Sequence, residues 1–201
     1  MEIEVYADVV CPWCWIGERR LFKALSGMGD VSVRWRAFQL DPSSASTGMP
    51  LVEWLGRRYG GEGNAHRMFD RVTRVARGED LTLNFEKAVA ANTFDAHRLI
   101  WKAHESGVQR EMVEALHKAH FTDGLDIGSP AVLSSIAFDL GVPDIAATGE
   151  GVDEVRADLE LGRELGITGV PMFVFNGRYA LSGAQDPDTF REALAMIRQP
   201  G

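Results

Sequence analysis

The chain reads as an α/β protein in which a small mixed sheet is interrupted by a long all-helical segment. Three observations predict this. Period-two apolar patterns occur only towards the two ends, near residues 3–7, 31–37 and 172–182. The stretch from about 41 to 166 carries helical apolar stripes with recognisable starts and stops. An Asn-Gly pair joins the last two apolar runs, the strongest short-range signal for a hairpin.

The elements follow in order. Ile3-Glu4-Val5-Tyr6-Ala7 is the first strand, and it runs straight into Asp8-Val9-Val10-Cys11-Pro12-Trp13-Cys14, a turn. A helix begins at Pro12, because a proline in the first turn gives up an amide hydrogen that has no helical partner there. Trp15, Ile16, Leu21, Phe22 and Leu25 form its apolar face among Glu18, Arg19, Arg20 and Lys23, and Gly27 and Gly29 end it. Val31, Val33, Trp35 and Ala37 then alternate with Ser32, Arg34 and Arg36, the pattern of a half-buried strand.

In the helical stretch, residues 50–59 and 65–76 are separated by Gly60, Gly61 and Gly63. Ala96, Leu99, Ile100 and Ala103 stripe a third helix, and 108–121 continues the bundle. Ser129-Pro130 starts a helix carrying Leu133, Ile136, Ala137 and Leu140 that stops at Gly141, and another with Val155, Leu159 and Leu165 stops at Gly166. Met172–Phe175 and Arg178–Ser182 pair antiparallel across Asn176-Gly177, and Asp186-Pro187 opens a last helix that buries Phe190, Ala193, Leu194 and Ile197. The expected organisation is one domain from residues 1–40 and 167–201, with 41–166 inserted as a helical domain.

Charge narrows the function. With 21 basic and 29 acidic side chains the net charge is −8, which argues against nucleic acid or an anionic membrane as partner, since both attract surplus Lys and Arg. No apolar run approaches the roughly 20 residues of a bilayer span, and Met1-Glu2-Ile3-Glu4-Val5-Tyr6 lacks the basic and apolar regions of a signal peptide. A cytoplasmic location is expected.

Cys11 and Cys14 are the two cysteines of the chain, and a bridge closing so small a loop adds little stability. Redox chemistry or half of a metal site are the readings to weigh. Three apart at the start of a helix, the pair lies on one face with α-carbons roughly 5 to 6 Å apart, inside the window for a disulfide. At Cys11 the unpaired amides and the positive end of the helix dipole favour thiolate over thiol, so Cys11 is the expected nucleophile and Cys14 the resolving thiol. A structural zinc site needs four ligands. His97 and His104 are seven apart and stand about 10 Å from one another on a helix. His117 and His120 have suitable spacing, but nothing in the sequence brings them to Cys11, and no metal or organic cofactor is expected.

Other residues join the candidate site. Asp8, three before Cys11, is either a turn or capping carboxylate, the favoured reading, or a proton acceptor for Cys14. Pro12 and Trp13 lie between the cysteines, with Trp13 a candidate apolar surface for a substrate and Trp15 a core residue. Phe94, His97 and Trp101 stripe one helix face, either as a wall towards the redox face or as a packing seam. Gly169-Val170-Pro171 precedes the strand at Met172, where a proline removes only one ladder donor; a cis Val170–Pro171 bond would leave Val170 free to pair with a substrate.

Asp8-Val9-Val10-Cys11-Pro12-Trp13-Cys14 together with Gly169-Val170-Pro171-Met172-Phe173 resembles the DsbA-like thiol-disulfide oxidoreductases, specifically the FrnE-like branch. Arg36-Ala37-Phe38-Gln39-Leu40, Asn92-Thr93-Phe94-Asp95-Ala96-His97-Arg98-Leu99 and Leu181-Ser182-Gly183-Ala184-Gln185 extend the resemblance over most of the chain. It implies a thioredoxin fold with an all-helical insertion, a redox-active Cys11/Cys14 pair, and a cis Pro171 facing that pair. The pattern is also similar to kappa-class glutathione transferases and 2-hydroxychromene-2-carboxylate isomerases, which need no resolving cysteine, whereas this chain has Cys14. The expected function is therefore a disulfide oxidoreductase acting on protein or small-molecule thiols, glutathione included, with Val170 and Pro171 beside the substrate. A glutathione-dependent transferase or isomerase is the alternative, and a redox-inactive binding module is a third class.

Overall fold

A computed structural model of the chain describes residues 1–198. Strands β1 (Glu2–Ala7), β2 (Ser32–Ala37), β3 (Met172–Phe175) and β4 (Tyr179–Ser182) form one sheet in the order β2-β1-β3-β4. β1 runs parallel to β2 and antiparallel to β3, and β3–β4 is the hairpin. Asn176 and Gly177 both take positive φ in its turn, the geometry for which Asn-Gly is suited. The Asn176 side chain also accepts the Glu2 amide at 3.0 Å, tying the turn to the start of β1.

One face of the sheet is covered by α1 (Pro12–Leu25) and α8 (Pro187–Arg198). Ile3 and Val5 of β1 stand opposite Phe175 and Phe173 of β3, and all four are buried in one cluster with Leu21, Phe190 and Leu194. On the other face Tyr6, Ile167 and Val174 cluster, and α7 (Val152–Glu164) lies over them, with Gly162 admitting the Tyr6 ring. This final helix of the expected insertion therefore packs on the sheet. Its Asp158 accepts from the Arg36 guanidinium at 2.8 Å and from the Ala37 amide at 3.3 Å.

The remaining helices are α2 (Leu51–Arg58), α3 (Glu62–Arg77), α4 (Phe94–Glu105), α5 (Gln109–His117) and α6 (Pro130–Asp139). The expected single helix over 108–121 instead widens after His117 into a π-helical turn, Lys118–Asp123, closed by Gly124 in the left-handed region. Hydrophobic periodicity does not announce such a turn, which often marks a functional position. At the free edge of β2, Gln109 accepts the Trp35 amide at 3.0 Å and donates to its carbonyl at 3.2 Å, so the backbone of Trp35 is satisfied much as by another strand.

A second core joins α1 to the insertion. Trp15 and Ile16 pack with Leu51, Phe69, Val72, Phe85 and Phe121. Around it Glu79, just beyond α3, accepts from Arg20 at 2.7 Å and from Lys23 at 2.6 Å. Burial alone raises the Glu79 carboxyl pKa, but these two cations outweigh it and hold the group below its ordinary value. The insertion is thus bound to the helix that carries both cysteines.

Candidate active site

The site is built at the junction of β1 and α1. Asp8 opens the turn, where its carbonyl accepts the Cys11 amide at 2.9 Å, and Cys11 is the N-cap of α1 in extended conformation. The Cys14 amide then donates to the Cys11 carbonyl at 3.0 Å. The two thiols are therefore fixed one turn apart by backbone bonds, and both are free and buried.

Their surroundings differ. Cys11 is 5% exposed and forms part of the wall of a cavity of about 360 Å³, whereas Cys14 is fully enclosed. The side chain of Cys11 makes no capping hydrogen bond to the helix-start amides; its thiol lies 3.9 Å from the Val170 carbonyl, a weak sulfur contact. The Cys14 thiol is pushed well above its ordinary pKa, first by burial and then by the hydrogen bond and charge of Cys11. The Asp8 backbone acts in the opposite sense, and the Glu18 carboxyl adds a smaller upward push.

The Val170–Pro171 peptide is cis. Pro171 lies directly against α1, and Gly17 makes this approach possible, since a Cβ on Gly17 would stand 2.9 Å from Pro171 Cγ and 3.2 Å from the Phe173 ring. Val170 lines the cavity beside Cys11, together with Pro12 and Trp13. Trp15 is buried, as expected, stacked at 5.5 Å on His117 with its indole donating to Glu114 at 2.8 Å.

Asp8 is fully buried and does not cap the helix. One carboxyl oxygen accepts the Leu40 amide at 2.8 Å, and the other lies 3.4 Å from His97 Nε2, which is itself 3.0 Å from the Phe38 carbonyl. Asp8 and His97 thereby pin the chain leaving β2 beneath the active-site turn. Phe94 and Trp101, on the same helix stripe, are half-buried, and Trp101 packs on Gly151 at the start of α7. That stripe is a packing seam in which His97 alone reaches the redox turn.

The family follows from this arrangement and from direct comparison. The chain matches the DSBA-like thioredoxin domain over residues 2–195. It belongs to that family. This DSBA-like chain is 32% identical to a probable DsbA oxidoreductase from Streptomyces coelicolor, with a TM-score of 0.91 over 100% of this chain and 92% of the other. The cytosolic disulfide reductase DsbM from Pseudomonas aeruginosa, solved with GSH, shares the fold at a TM-score of 0.70 and 19% identity, covering 99% and 100% of the two chains. A 2-hydroxychromene-2-carboxylate isomerase does so at 0.72 and 13%, covering 98% and 96%.

Residues beyond the expected set complete this DSBA-like site. Glu18, expected on the polar face of α1, is buried and faces His117 Nε2 at 3.6 Å; His117 Nδ1 lies 3.1 Å from the Val9 carbonyl. A carbonyl can only accept, so Nδ1 carries a hydrogen and Nε2 is the atom turned to the carboxyl. His120 is buried behind them with neither ring nitrogen hydrogen-bonded among the described residues. Burial first, and then the charge of His117, lower its pKa to about 4, against a small opposing effect of Asp8. Glu18 had a visible signal, because Cys14, Glu18, Leu21 and Leu25 follow helical spacing and an acid stands within the apolar stripe. His117 and His120 lacked one, since their approach to α1 depends on how the insertion docks.

Proposed function

We propose that the protein is a thiol-disulfide oxidoreductase using the Cys11-Pro12-Trp13-Cys14 pair, as in the FrnE-like branch. One observation carries the reading: the two thiols are one turn apart, with Cys11 on a cavity wall and Cys14 enclosed and held as a thiol. In the reducing direction Cys11 attacks a substrate disulfide, a mixed disulfide forms at Cys11, and one thiolate leaves. Cys14 then gives up its proton and attacks Cys11 Sγ, which closes the Cys11–Cys14 disulfide and releases the second thiolate. Two electrons pass from the dithiol to the substrate, and an external thiol recharges the enzyme. The oxidising direction is the reverse.

Cis Pro171 and Val170 border the entering sulfur, and Trp13 lines the same cavity. Asp8 is the expected proton acceptor for Cys14, and the bond its carboxyl accepts from the Leu40 amide gives it a fixed place. Glutathione is a candidate recharging thiol and the cytoplasm a candidate location, both supported by the GSH-bound cytosolic reductase of the same fold. Among the described residues no helix is long and apolar enough to cross a membrane.

Cys14→Ser is the test. An oxidoreductase variant lacking its resolving thiol stalls as a mixed disulfide at Cys11, readable by mass spectrometry. A glutathione-dependent transferase or isomerase, the reading favoured by the isomerase of the same fold, keeps its turnover in the same variant. Retained turnover would remove the oxidoreductase proposal.

A further inference from the structure

We infer that the substrate whose sulfur meets Cys11 is a low-molecular-weight thiol or disulfide with an apolar, aryl-sized arm, and that this arm occupies the cavity between α1 and the helices α2 and α3. The inference rests on the oxidoreductase reading and names its substrate class.

Three observations carry it. The first is access. Cys11 is 5% exposed, and its exposed side is part of the cavity wall, while thiol-disulfide exchange requires the attacked disulfide to reach that sulfur. A slender molecule entering the cavity meets this demand. The second is size and lining. The cavity of about 360 Å³ is in the range of small-ligand sites, and Leu51, Trp54, Leu55, Met68, Phe69 and Val72 furnish most of its far wall. Burying an arm there gains the ordinary transfer free energy of apolar surface.

The third is charge. The charged side chains of the lining are Asp8, Asp41 and Arg58. Arg58 is already ion-paired to Asp41 at 2.6 Å, so among the described residues no uncommitted cation of the wall awaits a carboxylate. Glutathione carries two carboxylates and one ammonium group, and such a ligand would bring net negative charge to a wall with two carboxyl groups against one paired guanidinium. A neutral apolar arm meets no such opposition.

The chemistry balances as a two-electron exchange. Cys11 thiolate attacks one sulfur of R–S–S–R, giving Cys11–S–S–R and RS⁻, which takes a proton to become RSH. Cys14 releases its proton and displaces the second RS⁻ from Cys11 Sγ, leaving the Cys11–Cys14 disulfide and two RSH in all. Dithiothreitol, as the external dithiol, returns the enzyme to its reduced form.

The experiment measures second-order rates of the reduced enzyme with bis(2-phenylethyl) disulfide, bis(2-hydroxyethyl) disulfide, oxidised glutathione and the disulfides of insulin. Each rate is divided by that of free dithiothreitol with the same disulfide, which removes differences in intrinsic reactivity. The expected result is a corrected preference for the phenylethyl compound over both small polar disulfides of about 10- to 100-fold, the transfer preference of one phenyl-sized group. Leu55→Asp and Met68→Asp, each placing a carboxylate in the wall, should reduce that preference ratio by about tenfold; Met68 is partly exposed, so its variant preserves the fold if Leu55→Asp does not.

Equal corrected rates, or a preference for oxidised glutathione, would overturn the inference while leaving the oxidoreductase reading intact. A preference for insulin would do the same in favour of a macromolecular substrate. If no disulfide reacts and the two cysteines never couple, the oxidoreductase reading itself fails and takes this substrate class with it. Calorimetric binding of the unreactive thioether 2-phenylethyl methyl sulfide, expected for wild type and weakened about tenfold in Met68→Asp, separates the cases, because it reports filling of the cavity independently of any sulfur exchange.

Discussion

Cys11 borders an apolar cavity made with the helical insertion, whereas Cys14, one turn further along α1, is enclosed on the side where Glu18, His117 and His120 are buried. The same helix thus separates a largely apolar approach from a closed polar interior. The difference assigns unlike tasks to two chemically identical thiols: one exchanges with molecules that arrive, and the other waits as a thiol until its neighbour is bonded. It also shows what the insertion contributes, since α2 and α3 build the cavity wall while α5 and the π-helical turn bring the two histidines beneath α1.

The strongest way to break the contrast is to exchange the roles of the thiols. Cys11→Ser should lower disulfide reduction by about a thousandfold, or to the uncatalysed rate, as loss of a covalent nucleophile does. Cys14→Ser should instead complete the first exchange and stop. Steady-state assay against a single-turnover assay checks both.

On the enclosed side, His117→Ala removes the ring that stacks on Trp15 and stands 3.6 Å from the buried Glu18 carboxyl. A loss of about 2 to 5 kcal/mol in urea unfolding is expected, the cost of emptying the space of a fully buried ring.

His120 gives a pH test of the same interior. Its pKa in the folded protein, about 4, lies below the ordinary value, so the unfolded chain binds more protons between pH 6.5 and 4. Stability supplied by the neutral ring is present above pH 6.5 and is lost as pH falls towards 4, by on the order of 3 kcal/mol. His120→Leu should remove that part of the acid dependence, measured by urea unfolding at each pH.

Gly17→Ala sharpens the comparison from the Pro171 side. The added methyl meets Pro171 Cγ and Phe173, so a loss of about 1 to 3 kcal/mol is expected, with a changed alkylation rate at Cys11 as Val170 is displaced. The smallest effect at neutral pH belongs to Cys14. Its thiol pKa is raised in the folded protein, so the reduced form keeps its full stability below the ordinary thiol range near about 8.5 and loses stability as pH rises above it. Cys14→Ser should flatten that alkaline slope.

The sheet half of the molecule was legible because its information is local. Alternation gave β1 and β2, Asn176-Gly177 gave the hairpin, and Pro12 after Cys11 gave the start of α1. The cysteine pair was readable for the same reason. The cavity was not, because its walls come from α2, α3 and the loops around Phe85 and Ala90, brought to Cys11 only by tertiary packing. Asp8 illustrates the limit well: a short polar residue before a helix suggests a cap, yet its carboxyl is drawn to the Leu40 amide and His97, partners distant in sequence. Glu18 lay between the two cases, since its position in the apolar stripe was visible but its partner His117 was not.

The central claim is that Cys11 and Cys14 form one reversible redox couple. A glutathione redox titration of the wild-type protein, quenched by alkylation and read by mass spectrometry, tests it most directly. The account predicts a single two-electron transition, with a tenfold change in the ratio for about each 30 mV, between the free dithiol and an internal Cys11–Cys14 disulfide. Persistent glutathionylation of Cys11 beside a free Cys14, or no transition across the titrated range, would contradict it.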